Sequence, residues 1–185
     1  DHPEISDAEL IEAETKRSGR VIQAQALLNH LKKEGHLNES VPVLLGGDFN
    51  CPSHLDWTKD TQRVFERRRA LDLPVSQLVL EAGFDDSFRK IHPNPVQHPG
   101  ITWSPMYRGS LSREEGTPQS FERIDRLYVH ERNDNLSSKL IPVAARVLPV
   151  IWESDQIPAE ERTFPSDHGA VVVDFQWIST DPMSK

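Results

Sequence analysis

The stretch Val43-Leu44-Leu45-Gly46-Gly47-Asp48-Phe49-Asn50 sets the frame for the whole chain. A short apolar run ends in two glycines, then an acid and an amide separated by a bulky aromatic. Side chains alternate along a strand, so Asp48 and Asn50 are expected on one face and Phe49 on the other. That arrangement would set a carboxylate and an amide at the mouth of a buried sheet, where α/β proteins usually place their chemistry. Taken alone, the same residues also read as a plain Asp/Asn turn leaving a core strand.

Composition narrows the class. A chain of 185 residues can bury one sizeable core, and 36% hydrophobic with 27% charged residues fits an ordinary globular domain. No run approaches ~18 apolar residues, so no transmembrane helix is expected. The net charge of -8, from 29 acids against 21 Lys and Arg, counts against non-specific binding to a polyanion. The one cysteine, Cys51, excludes an intrachain disulfide and reads as either a small buried filler or a reactive thiol. The opening Asp1-His2-Pro3-Glu4 reads as mid-protein, so any targeting segment would lie upstream and the compartment stays open. Two Asn-x-Ser triplets, at Asn38 and Asn135, are too common by chance to decide it.

Ahead of the central stretch, Ser6 and Glu9 form a capping-box pattern. Val21, Ala24, Leu27, Leu28 and Leu31 then share one helical face, and Gly35 stops that helix. Beyond it, helices are expected over residues 61–71 and 74–82, the second started by Pro74 and ended by Gly83. The run Arg67, Arg68, Arg69 reads as a solvated face. Residues 84–88 should lead into a proline-bearing loop, 101–103 form a short β segment, and 107–120 form a polar loop. Strands are expected over 123–130, 139–152 and 170–177, with a charged connection over 156–163. With no repeat or linker, the pattern suggests one α/β or α+β domain around one sheet.

Two later segments add chemistry. Arg123-Ile124-Asp125-Arg126 sets an acid inside an expected strand, where it needs a compensating partner. Ser166-Asp167-His168-Gly169 precedes the last strand. A histidine is the natural acid or base near neutral pH, and a carboxylate such as Asp125 can fix its tautomer. Asp167 is then available to a hard divalent cation. No Cys/His zinc spacing occurs, which favours magnesium or manganese over zinc. The remaining histidines, His2, His30, His36, His54, His92, His98 and His130, read as surface or loop residues.

In this order, Gly-Asp-Phe-Asn, Arg-Ile-Asp and Ser-Asp-His before a terminal strand resemble the endonuclease/exonuclease/phosphatase superfamily with its DNase I-like fold. The resemblance implies a β-sandwich flanked by helices. It also implies a metal-dependent phosphoesterase or phosphodiesterase, a hydrolase of the class that includes nucleases. It implies that Asp48 orients or deprotonates the attacking water and that Asn50 holds that water or a phosphate oxygen. Asp167 would bind Mg²⁺ or Mn²⁺, and His168 would contact the scissile phosphate with Asp125 buttressing its ring. Trp103 matches a substrate-contacting aromatic, though simple core packing explains it equally well. Arg123 and Ser166 would support their motifs.

The early Asn, the metal-binding Glu and the Asn-x-His motif of that family are absent. The chain therefore resembles the C-terminal half to two-thirds of such a domain, with the N-terminal half as an expected partner. Its isolated sheet should expose apolar surface, and it should bind metal weakly and hydrolyse little. The substrate could be nucleic acid, a phospholipid headgroup or a small phosphate ester. The alternative is a non-catalytic module of the family that binds a partner.

Overall fold

The computed structural model describes residues 5–38, 41–65, 69–103, 121–130, 138–148 and 166–179. The expected loop over 107–120, the connection over 156–163, Arg67, Arg68 and the Asn135 triplet lie outside these, as does Ser40 of the Asn38 triplet. The described residues form a mixed α+β fold with two antiparallel sheets, rather than the single sheet the strand pattern suggests. Helices α1 (Asp7–Glu12) and α2 (Arg20–Lys33) come first, joined through a π-helical stretch. Strand β1 (Val43–Asp48), α3 (Lys59–Val64), α4 (Pro74–Glu81), β2 (Phe84–Asp86) and α5 (Ser87–Ile91) follow, then β3 (Asp125–His130), β4 (Ser138–Leu148) and β5 (Ala170–Ser179). The first sheet has the order β1-β3-β2, and β4 pairs with β5 in the second. Among the described residues, no helix is long and apolar enough to cross a membrane.

Local chemistry accounts for most α-helix starts. Ser6 caps α1 in a reciprocal box with Glu9, satisfying backbone donors that the first turn leaves open. Pro74 occupies the first turn of α4, where its missing N–H costs nothing. The core gathers Leu28 of α2, Leu37, Val79 of α4, Phe84 of β2 and Tyr128 of β3. Full burial of a side chain such as Val79 is worth about 1.5–3 kcal/mol. The apolar stripe of α2 is narrower than its spacing suggests, since Leu28 is buried while Leu27 is exposed.

Several expectations need correction. Strand β1 is not buried on both faces: Leu44 is 50% exposed, and the two glycines after Leu45 are exposed as well. The helix expected over 61–71 starts earlier and is short, because Thr58 caps it through a box with Thr61. Residues 84–88 do lead toward the proline-bearing segment, but they form β2 and the start of α5, whose N-cap is Asp86. His130 is not a surface residue, since it is buried in β3 with its ring 5.0 Å from that of Phe84. Exposed apolar residues include Val41, Leu44, Val143 and Trp177.

Beneath the first sheet runs a buried ion network. The fork of Arg123 binds Asp56 at 2.9 Å and Asp86 at 2.7 Å, all essentially without exposure. Arg89 binds Asp56 at 2.7 Å and donates to the carbonyls of His92, His98 and Pro99. The chain comes closest to this network at Gly100, whose φ is 64°. A Cβ there would stand 2.6 Å from the Phe88 ring and 3.0 Å from Arg123, so glycine is required on both counts. The network ties residue 56, β2, α5 and the 92–100 segment to the residue that enters the Ile124-Asp125 stretch.

Candidate functional site

The site grows from the last rung of the β1–β3 ladder, where Asp48 stands opposite Asp125. Asp125 opens β3 instead of lying inside it. Facing residues of an antiparallel pair share a side of the sheet, so the register alone brings the two carboxylates together. Asn50 joins them by another route than strand alternation. Strand β1 ends at Asp48, and Asn50 takes φ 52°, a left-handed geometry that Asn tolerates. There its backbone N–H donates to Asp48 Oδ1 at 2.7 Å and its Nδ2 to Asp48 Oδ2 at 2.8 Å. The amide therefore rests on the carboxylate through an Asx turn.

His168 arrives from the segment before β5. Its Nδ1 lies 2.9 Å from Asp125 Oδ2, and its backbone N–H donates to Ser166 Oγ. Thr102 locks this segment to β3. Its carbonyl accepts from the N–H of Gly169, while its buried Oγ1 accepts from the N–H groups of Ile124 and Asp125. Gly169 allows the close approach, because a Cβ there would lie 2.8 Å from Val147 Cγ1. Trp103 forms a backbone bridge with His168, and the two rings are 4.7 Å apart at 50°.

Asp48, Asp125 and His168 thus meet, each offering a donor atom within 4.8 Å of the other two. Beside them lies a half-open cleft of about 280 Å³, lined by Asn50, Pro52, Trp103, Glu122, Ile124 and His168. Trp103 is therefore a cleft wall, half-buried. The indole N–H of Trp57 donates to Glu122 at 3.1 Å and fixes that carboxylate. Asp167 lies outside the group of three, although its charge bears on His168. Cys51 is buried, and burial pushes its thiol up, which makes it a core filler. Nothing in the spacing marks Pro52, Glu122 or Trp57; Thr102 is flagged by its neighbour Trp103 alone.

The imidazole of His168 is held above its ordinary value. Partial burial works against the cation, but the hydrogen bond to Asp125, then the charges of Asp125, Asp48 and Asp167, outweigh it. An NMR titration should accordingly place its midpoint above that of a free histidine, and Asp125→Asn should bring it down. The linkage has a definite sign: a raised native value contributes stability below the unfolded pKa of ~6.5, lost as pH rises through the native value. A midpoint at or below the free value would contradict the Asp125 contact.

This chemistry also bears on metal binding. The Nδ1 of His168 is engaged by Asp125, so only Nε2 is left to offer an ion. The carboxylates offer the oxygen ligands that hard cations prefer, but fewer than the six that Mg²⁺ takes. Among the described residues the donors fit a divalent cation as part of a shell.

No family model matches the chain. It is similar to an uncharacterized protein of Caenorhabditis elegans, 33% identical over 163 residues, covering 86% of this chain and 49% of that protein. Among solved structures it is similar to truncated Caenorhabditis elegans TDP2, at 18% identity and a TM-score of 0.41, covering 86% of this chain and 47% of the other. The chain spans about half the length of each. At this TM-score the structural likeness carries no inference about activity.

Proposed function

We propose that this chain carries the catalytic half of a metal-dependent phosphoesterase of the endonuclease/exonuclease/phosphatase superfamily, acting on a phosphodiester through an activated water. The observation that carries this reading is the meeting of Asp48, Asp125 and His168, with the amide of Asn50 laid on Asp48. Residues from three separated motifs converge at one end of a ladder, beside a cleft able to take part of a substrate.

Each side chain has work that its surroundings favour. Asp48 accepts a proton from, or orients, the attacking water, and Asn50 limits where that water can stand. Asp125 keeps the His168 ring in one orientation with Nδ1–H engaged, leaving Nε2–H to donate to a non-bridging phosphate oxygen as negative charge builds there. Trp103 offers a flat wall to the group next to the phosphate. Mg²⁺ or Mn²⁺, held by Asp167 with carboxylate help from Asp48, would supply neutralisation of the phosphate charge. Nucleic acid, a lipid headgroup and a small ester all remain within this class.

The partial donor set and the exposed Leu44 and Val41 support completion of the site by a further segment. They also favour a second reading, a binding module that no longer turns over substrate. Hydrolysis of bis-p-nitrophenyl phosphate separates the two. The 185-residue chain alone should turn over little, and a polypeptide extended by its upstream residues should be active with Mg²⁺ or Mn²⁺ and silent after chelation. An extended polypeptide without metal-dependent turnover would remove the enzymatic reading, and full activity of the isolated monomer would remove the need for completion.

A further inference from the structure

Resting on the roles given above to Asp48 and Asn50, we propose that Arg126 is a positioning residue that grips both sides of the Asn50 turn from the interior. Asp125 faces His168 and Asp48, so its neighbour Arg126 points to the opposite side of β3, where it is buried. Among the described residues it meets no carboxylate. Its Nη1 donates instead to the Cys51 carbonyl at 2.8 Å and more weakly to that of Arg123 at 3.3 Å. Its guanidinium lies 4.6 Å over the Phe49 ring, which packs edge-on against Tyr128.

These contacts bracket one residue. Phe49 precedes Asn50 and is held by its ring face; Cys51 follows and is held by its carbonyl. Between them the chain makes its left-handed step at φ 52°, the one non-glycine residue of the described set with positive φ. A planar cation suits the task because it can lie flat on the ring and donate from its edge, a fork geometry that a compact ammonium does not reproduce. A buried guanidinium with no carboxylate in direct contact is costly, even though its charge is felt at Asp56, so simple packing would favour an apolar side chain here. What the arginine achieves in return is a fixed turn, and through it the two hydrogen bonds that lay Asn50 on Asp48.

Site-resolved hydrogen exchange on the 185-residue chain tests this. In Arg126→Lys the Asn50 amide should exchange about tenfold or more faster relative to the amides of β3 and α4. Val79→Ala, a core truncation remote from the turn, should lower global protection without singling out Asn50. Phe49→Leu, which removes the ring face and leaves the guanidinium, should accelerate Asn50 selectively as well and decides the matter if Arg126→Lys does not fold. Uniform acceleration, or none at Asn50, would overturn the proposal. In the extended polypeptide Arg126→Lys should lower kcat while KM holds. Absence of turnover in the unaltered extended polypeptide would fell the phosphoesterase reading and leave the exchange result standing.

Discussion

Replacing His168 with alanine should lower phosphodiester turnover by the extended polypeptide by ~10²-fold or more, with substrate binding much less affected. The expectation follows from position. The ring is held by Asp125 on one nitrogen and tilted against Trp103, so it cannot swing away as charge develops. Interactions that strengthen only as the reaction proceeds appear in kcat rather than KM. Asp125→Asn should follow in the same direction with a smaller loss, since the ring remains but its charge is less favoured. Steady-state kinetics of the two variants beside the unaltered protein make the comparison, and equal rates for His168→Ala would end the enzymatic account.

The largest effect on stability is expected at Arg123. Arg123→Met should cost about 3–5 kcal/mol, because it leaves Asp56 and Asp86 buried with their shared cation gone. For a domain of this size that corresponds to a melting temperature lower by roughly 6–20 °C, measurable by calorimetry. The same network predicts the acid limb of stability. Burial alone would raise Asp56, yet the charges of Arg123 and Arg89 outweigh it and hold the carboxyl below its ordinary range. A depressed native value contributes stability that is full above the unfolded pKa of ~3.9 and lost as pH falls through the native one. Denaturation midpoints should therefore fall below that range and flatten above it, and the acid dependence should shrink in Asp56→Asn.

Much of this was legible in the chain itself. The helix capped by Ser6, the stop near Gly35, the start at Pro74 and the strands around residues 125–130 and 170–179 follow from local chemistry. The grouping of Asp48, Asn50, Asp125 and His168 came instead from the family that the three motifs resemble. What escaped is non-local. Strand β2 has three residues and exists because Phe84 and Asp86 pair with β3 across some forty positions. Burial of His130 follows from that pairing, not from its neighbours. Asn50 was expected beside Asp48 for a reason that does not hold: the strand has ended, and a turn does the work. Arg126 passes for an ordinary polar strand residue until the Cys51 carbonyl is seen above it.

Asp48 and Asp125 owe their encounter to which rung of the ladder they occupy. A residue inserted or deleted within β1 would carry every following side chain through the sheet to its other face. The aspartate would then be turned to the Tyr128 side of the sheet while a neighbour took its place opposite Asp125. Length changes in the surrounding loops carry no such penalty. The six residues of β1 thus act as a fixed-length ruler, and their number matters to this site as much as their identity.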